Sequence, residues 1–361
     1  MHDTDRPSGP RGPLITEEKP VDHRVFTLDS LPLADGGTLP SAGIAYAVHG
    51  TLDADGRNAV LCPSYFGGDH TAYDWLIGEG RPLDTRRYCV VTVGLFGNGV
   101  SSSPSNHPLG AAFPRISLRD NVDAQYRLLT EELGVTELAL VTGWSMGAAH
   151  AYQWAVSYPR MVRRIAPFCG SAATSEHNRV FLAALAAALC AAGSADGGAD
   201  GSPDGGADRG RRAAGRVFAG WAASHPFWAQ GGYRELGFAS REEYLTGFWE
   251  EFFVAGPSTE DLLTMIDTWA RADVGATPGF DGRTEAALGS VTAEAVLLPG
   301  ARDLCFAVED EARAAALMPR AALRVIPGVW GHLAGAGANV ADRAFIGEAI
   351  TALLATQPAA V

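Results

Sequence analysis

Two spacings of apolar residues alternate along the chain. Nearly uninterrupted β-branched and apolar runs at 23–28, 43–48, 58–62, 88–93, 138–141, 162–168, 293–298 and 322–326 read as strands. Between them the apolar residues fall three and four apart. In 118–133, Val122, Tyr126, Leu129 and Leu133 share one helical face. Helices are also expected directly after residue 145, around 180–192, at 308–316 and at 340–354. Such alternation predicts a mostly parallel sheet with helices on both faces. In sheets of that kind the chemistry gathers in loops leaving the strands' C-terminal ends.

Three stretches lie outside this pattern. Residues 1–22 are rich in Asp, Pro, Gly and Glu with no apolar segment, so a disordered leader is expected rather than a secretory signal. Residues 193–215 are mostly Gly, Ala, Asp and Arg and read as a low-complexity, mobile loop. The stretch 217–274 is dense in Phe and Trp, with helical spacing at 261–269, and reads as a helical cap. Phe218, Trp221, Phe227, Trp228, Phe248, Trp249, Phe252 and Phe253 are expected mainly as the cap's own core, with a few facing a pocket. The expected division is a leader at 1–22, a core from 23 to 192, the loop and helical lid at 193–276, and the rest of the core at 277–361.

Composition narrows the function. A chain of 361 residues, 47% of them apolar, can bury one large core or a core with a cap. The net charge of −13 argues against nucleic acid and anionic membrane as partners, since both are polyanions, and reads first as a solubilising surface that points to no particular substrate. Five scattered cysteines without a C-x-x-C pair suit buried thiols in a reducing compartment, so no metal site is expected and the location is read as cytoplasmic. No apolar run reaches membrane-spanning length.

The candidate chemistry centres on Gly143-Trp144-Ser145-Met146-Gly147, a Gly-x-Ser-x-Gly pattern set between a strand and an Ala-rich helix. A serine at the tip of so tight a turn is strained, and Gly143 and Gly147 remove the Cβ atoms that would collide there. The turn lifts the Ser145 hydroxyl above the sheet and points a helix N-terminus at it. A serine hydroxyl needs a base, and the base an orienting acid. In chain order Ser, acid, His, the histidine after the last strand is His332 and the acid after the preceding strand is Asp303. Glu309 and Asp310 fit the first turn of the next helix instead. The backbone N–H groups of Met146 and Tyr65 are the expected oxyanion donors. His70, His107 and His150 read as surface, loop or packing residues. Gly97 and Gly99 lack the spacing of a nucleotide-binding loop, and no cofactor is expected.

Together with Phe96-Gly97-Asn98-Gly99, the 101–106 loop, 116–122, Gln153-Trp154-Ala155, Tyr158-Pro159 and Trp330-Gly331-His332, these residues resemble the homoserine O-acetyltransferase family of α/β-hydrolase-fold proteins. The resemblance runs from about 58 to 354. It implies the α/β-hydrolase fold with an inserted helical lid, the triad Ser145, Asp303 and His332, the donors Tyr65 and Met146, and a homodimer. Two departures bear on substrate. Trp144 stands where homoserine transferases usually carry glycine. The stretch 256–261 lacks the arginine that those transferases associate with their amino-acid substrate, and a substrate carboxylate in a water-poor pocket needs such a partner. The chain therefore looks closer to the hydrolase branch of the family. The preferred function is hydrolysis of a small ester or thioester through an acyl-Ser145 intermediate. The alternative is acyl transfer from acyl-CoA, as co-substrate, to a small alcohol. The third is a fold turned to non-catalytic use.

Overall fold

The computed structural model describes residues 23–191 and 205–356. Its strands are β1 (Arg24–Pro32), β2 (Thr38–His49), β3 (Ala59–Pro63), β4 (Cys89–Val93), β5 (Leu138–Trp144), β6 (Arg164–Phe168), β7 (Glu294–Leu297) and β8 (Ala321–Leu323). They form one sheet in the order β1-β2-β4-β3-β5-β6-β7-β8. The β1–β2 and β2–β4 pairs are antiparallel, and every later pair is parallel. Strands β3 to β6 are buried at every position, as expected where helices cover both faces.

Alternate side chains of a strand enter opposite cores. Ala59 and Leu61 of β3 join one apolar cluster with Val141, Ile165 and Trp154, while Val60 and Cys62 join the other with Leu140, Phe168 and Leu298. The second cluster continues without a break into Phe218, Trp249 and Phe253. One face of the sheet thus shares its core with the helices above it.

The helices are α1 (Leu118–Arg127), α2 (Met146–Ser157), α3 (Glu176–Cys190), α4 (Gly205–Ala222), α5 (His225–Gln230), α6 (Arg241–Tyr244), α7 (Glu251–Ala255), α8 (Thr259–Ala270), α9 (Thr284–Gly289), α10 (Val308–Leu317) and α11 (Val340–Leu354). A π-helical turn, Leu245–Glu250, joins α6 to α7. Ser117 and Asp120 form a reciprocal cap on α1, and Ser258 with Asp261 do the same on α8. Among the described residues no helix is long and apolar enough to cross a membrane.

The structure corrects several boundaries. The first two strands are longer than expected because they form one hairpin, paired from Arg24↔Tyr46 to Pro32↔Thr38. Strand β8 starts one residue earlier and stops at Leu323, leaving Ile326 in an isolated bridge to Gly300. The main correction is the expected loop at 193–215. Its first part, 193–204, lies outside the described residues, but from Gly205 onward the chain is helix α4. The glycines there serve close packing. A Cβ on Gly210 would lie 2.5 Å from the Leu189 carbonyl oxygen, and one on Gly215 would lie 2.5 Å from that of Trp249. A glycine-rich helix and a glycine-rich loop look alike until the neighbours are known.

Candidate active site

Strand β5 ends at Trp144 and α2 begins at Met146, so Ser145 alone makes the turn, with φ 57° and ψ −121°. Such a conformation costs on the order of 1–3 kcal/mol in a non-glycine residue and persists only where its surroundings enforce it. Here they do. A Cβ on Gly143 would sit 2.6 Å from the Gly147 carbonyl carbon, and one on Gly147 would sit 2.4 Å from the Pro63 carbonyl oxygen. The Tyr73 hydroxyl donates to the Pro63 carbonyl at 2.7 Å and accepts the Trp144 N–H at 2.9 Å, tying the end of β3 to the turn.

Two other strand ends deliver the partners. The loop after β7 carries Asp303, and the loop after β8 carries His332 at the start of a short 3₁₀ turn, Gly331–Ala336. His332 Nε2 lies 3.0 Å from Ser145 Oγ, and His332 Nδ1 lies 2.8 Å from Asp303 Oδ2. The other carboxylate oxygen accepts the N–H groups of Cys305 at 2.7 Å and Phe306 at 3.0 Å, which fixes its plane. With Asp303 as a carboxylate, able only to accept, the imidazole proton sits on Nδ1 and Nε2 is left to accept the serine proton. Rings hold the imidazole on two sides: Phe306 at 5.3 Å, itself stacked on Trp269, and Trp144 at 4.9 Å. The Trp144 indole N–H also donates to the His332 carbonyl at 3.1 Å.

Around Ser145 and His332 lies a narrow cavity of about 30 Å³, lined by Tyr65, Phe66, Trp144, Leu333 and, from the helices above, Phe218, Phe248, Trp249 and Phe252. Among the described residues, no titratable side chain besides His332 and the Tyr65 phenol lines it, and burial with Asp69 and Asp74 nearby pushes that phenol well up, so it stays neutral. Larger clefts of about 930 and 830 Å³ elsewhere on the surface hold none of the predicted site residues.

Ser145, Asp303, His332, Tyr65 and Met146 therefore meet at one end of the sheet. Among the described residues neither the Tyr65 nor the Met146 N–H is spent on another acceptor. His150 is buried on α2 and bonds the Met146 carbonyl at 2.7 Å, and burial lowers its basicity to a pKa of about 4. His107 bonds the Pro40 carbonyl, and His70 packs against His23. Donor atoms of Asp303, Cys305 and His332 lie within 4.8 Å of one another, a spacing open to a metal. However, Asp303 and His332 already bond each other, and burial beside Asp303 pushes the Cys305 thiol well above its ordinary range, which makes it a poor ligand. All five cysteines are free, and only Cys190 is exposed.

Sequence reasoning missed Tyr73, which sits in an irregular loop without a motif. It also missed the Cys305 and Phe306 N–H groups, which their nearness to Asp303 could have suggested. Of the eight cap aromatics named from the sequence, Phe218, Phe248, Trp249 and Phe252 line the cavity and the other four do not. The segment from Gly256 to Asp261, which lacks arginine, docks the cap. Asp261 accepts both the backbone N–H and the hydroxyl of Ser105, at 3.0 and 2.5 Å.

Residues 59–187 match the α/β hydrolase fold family. The chain is 36% identical to the ethyl acetate hydrolase of Pseudomonas veronii, over 91% of this chain and 95% of that one. An acetylester hydrolase from Corynebacterium glutamicum superposes with a TM-score of 0.87 at 33% identity, covering 93% of this chain and 96% of that one. The homoserine O-acetyltransferase of Thermobifida fusca is 39% identical, but over only 48% of this chain and 51% of its own. By these full-length likenesses and by its sheet order, the chain belongs to the α/β-hydrolase-fold enzymes, in the branch where ester hydrolases stand beside the homoserine O-acyltransferases.

Proposed function

We propose that the protein hydrolyses small carboxylic esters through an acyl-Ser145 intermediate. The observation that carries this reading is the unbroken hydrogen-bonded chain Ser145–His332–Asp303 at the wall of an apolar cavity. His332 Nε2 takes the hydroxyl proton as Ser145 Oγ bonds to the ester carbonyl carbon. The oxyanion faces the N–H groups of Met146 and Tyr65, at the positive end of α2. As the carbonyl re-forms, the C–O bond to the alcohol breaks and His332 returns the proton to the leaving oxygen. Water then enters by the same route, deprotonated by His332, and releases the acid with the serine hydroxyl restored. Every step is carried by groups of the chain itself.

The cavity supports a short acyl group. The cavity is small and walled mostly by aromatic rings, so a long chain would need the cap to move. The ester hydrolases among the relatives, one of them named for ethyl acetate, support the same class. Acyl transfer to homoserine fits less well. Among the described residues no guanidinium or ammonium faces the cavity to pair with an amino-acid carboxylate, and the segment from Gly256 to Asp261 is engaged with Ser105.

The test is intact-mass analysis and turnover with p-nitrophenyl acetate and, separately, acetyl-CoA, beside Ser145→Ala. Ester turnover with no lasting adduct is expected, and its rate should fall at least about 10⁴-fold in the variant. An acetyl adduct from acetyl-CoA that an alcohol clears and water does not would replace hydrolysis by transfer. Equal turnover by wild type and variant would remove Ser145 from the chemistry.

A further inference from the structure

We infer that Trp144 is the specificity-determining wall of the alcohol subsite and, through its indole N–H, a positioning residue for His332. The inference rests on the ester hydrolysis proposed above. The leaving oxygen must come within hydrogen-bond distance of His332 Nε2 to receive its proton, so the carbons attached to that oxygen lie beside whatever flanks the imidazole. Two rings flank it, Phe306 and Trp144, and of these only Trp144 lines the cavity. The cap's aromatics in the lining, Phe218, Phe248, Trp249 and Phe252, are left to enclose the acyl side, and Tyr65 and Phe66 of the loop after β3 complete the wall.

This wall cannot swing aside. The indole N–H is bonded to the His332 carbonyl at 3.1 Å, and the Tyr65 ring meets the indole edge to face at 4.5 Å. A Cβ on Gly335 would lie 2.2 Å from Trp144 Cδ1, so the loop carrying His332 closes directly on the ring. The backbone N–H of Trp144 is held by the Tyr73 hydroxyl. A side chain fixed at both ends sets a steric limit, where a mobile one would adapt. The same bond makes the histidine loop depend on the residue that limits the alcohol.

The two roles separate in two variants. Trp144→Ala opens the subsite, and Trp144→Phe keeps most of the bulk but loses the N–H. The probes are ethyl, butyl and benzyl acetate. In Trp144→Ala the kcat/KM ratio of benzyl to ethyl acetate should rise by about 10-fold or more, the range in which hydrophobic pockets discriminate size. In Trp144→Phe that ratio should stay within about twofold of wild type while kcat falls alike for all three esters, as expected for a role confined to the transition state. An unchanged ratio in Trp144→Ala would overturn the specificity role, and an unchanged kcat in Trp144→Phe the positioning role. If the alanine variant does not fold, Trp144→Leu takes its place under the same criterion. Benzyl alcohol binding in a Ser145→Ala background, read as a rise in Tm, isolates the subsite from the reaction. Binding should appear only when Trp144 is also shortened, and its absence would overturn the subsite even if wild type cleaves no ester at all.

Discussion

The sheet and the cap meet at Ser145, yet each holds its side of the pocket by different means. On the sheet side, side chains are set by short polar contacts at strand ends: Tyr73 between Pro63 and Trp144, Asp303 between His332 and two backbone N–H groups, and Ser145 in a strained turn with glycine on either flank. On the cap side, the pocket wall is rings on rings, with Phe218 against Trp249 at 5.6 Å and Phe248 against Trp249 at 5.0 Å. Among the described residues no charged side chain of the cap lines the cavity, though Glu250 is buried within the cap. Arg216 bonds Glu250 and Glu242, and Arg212 bonds Glu250 and Glu251, all around half-exposed guanidinium groups. The difference has a physical origin. Proton transfer requires atoms placed to a few tenths of an ångström, which directional bonds supply, whereas excluding water and fitting an acyl chain requires only volume.

The comparison breaks first at Asp303. In Asp303→Asn the remaining oxygen can still accept the Cys305 and Phe306 N–H groups, which turns the amide NH₂ toward His332 Nδ1. The imidazole must then accept at Nδ1 and carry its proton on Nε2, facing Ser145, where it can no longer act as a base. A fall in kcat of about 10⁴-fold is expected, with Tm little changed. Steady-state kinetics beside a melting curve checks both halves. A large loss of Tm with residual activity to match would mean that the sheet side is held by packing after all.

A second test concerns a buried carboxyl on one of the helices beside the sheet. Glu311 of α10 is fully buried. Burial, assisted by Asp310, raises its pKa from 4.5 to about 8, against the bond it accepts from the Tyr152 hydroxyl at 2.6 Å. A carboxyl whose folded pKa is raised contributes stability that is complete below 4.5 and is lost as pH rises toward 8, at about 1.4 kcal/mol for each pH unit. Asp342, raised to about 6 by burial, adds in the same direction over a narrower window. Glu311→Gln should therefore flatten the decline in unfolding free energy between pH 5 and 8 and leave the variant more stable than wild type at the upper end. Urea titrations at several pH values measure it. A wild type whose stability rises across that window would contradict the assignment.

A smaller effect is expected at Tyr73. Tyr73→Phe leaves the Pro63 carbonyl and the Trp144 N–H buried without a partner, at a cost of about 1–3 kcal/mol. Because those groups frame the turn, kcat should fall several-fold while KM holds. If only stability changes, the bridge supports the fold and not the geometry of Ser145.

These contrasts also decide what could be read from the chain. All eight strands and the turn at Ser145 were legible because their signals are local: apolar runs, two flanking glycines, and a histidine after the last strand. Asp303 and His332 followed from chain order, and the structure brings both to Ser145. Tyr73 was not legible, since its partners are ten and seventy-one residues away. Helix α4 was misread for the same reason. Gly210 and Gly215 are set by contacts with Leu189 and Trp249, and no pattern within 205–215 records those neighbours. In the cap, sequence showed that aromatics were abundant but not which ones face the cavity, because packing alone makes that choice.

The gentlest test is therefore on the cap. Phe252 lines the cavity and lies close over the loop after β3, since a Cβ on Gly67 would meet its ring at 3.1 Å. It is half-buried, so shortening it leaves little unfilled core. Phe252→Leu should enlarge the acyl side and raise kcat/KM for p-nitrophenyl butyrate relative to the acetate by about 10-fold, the range of one or two methylenes in an apolar pocket. The acetate rate itself should change by less than about threefold, since no group touching the reacting atoms has moved. Paired progress curves for the two esters give the ratio directly. If the acetate rate collapses along with the ratio, the cap holds His332 and Ser145 as tightly as the strand ends do, and the division of labour between sheet and cap fails. If only the ratio moves, substrate range can be changed in the cap while the chemistry beneath it stays intact.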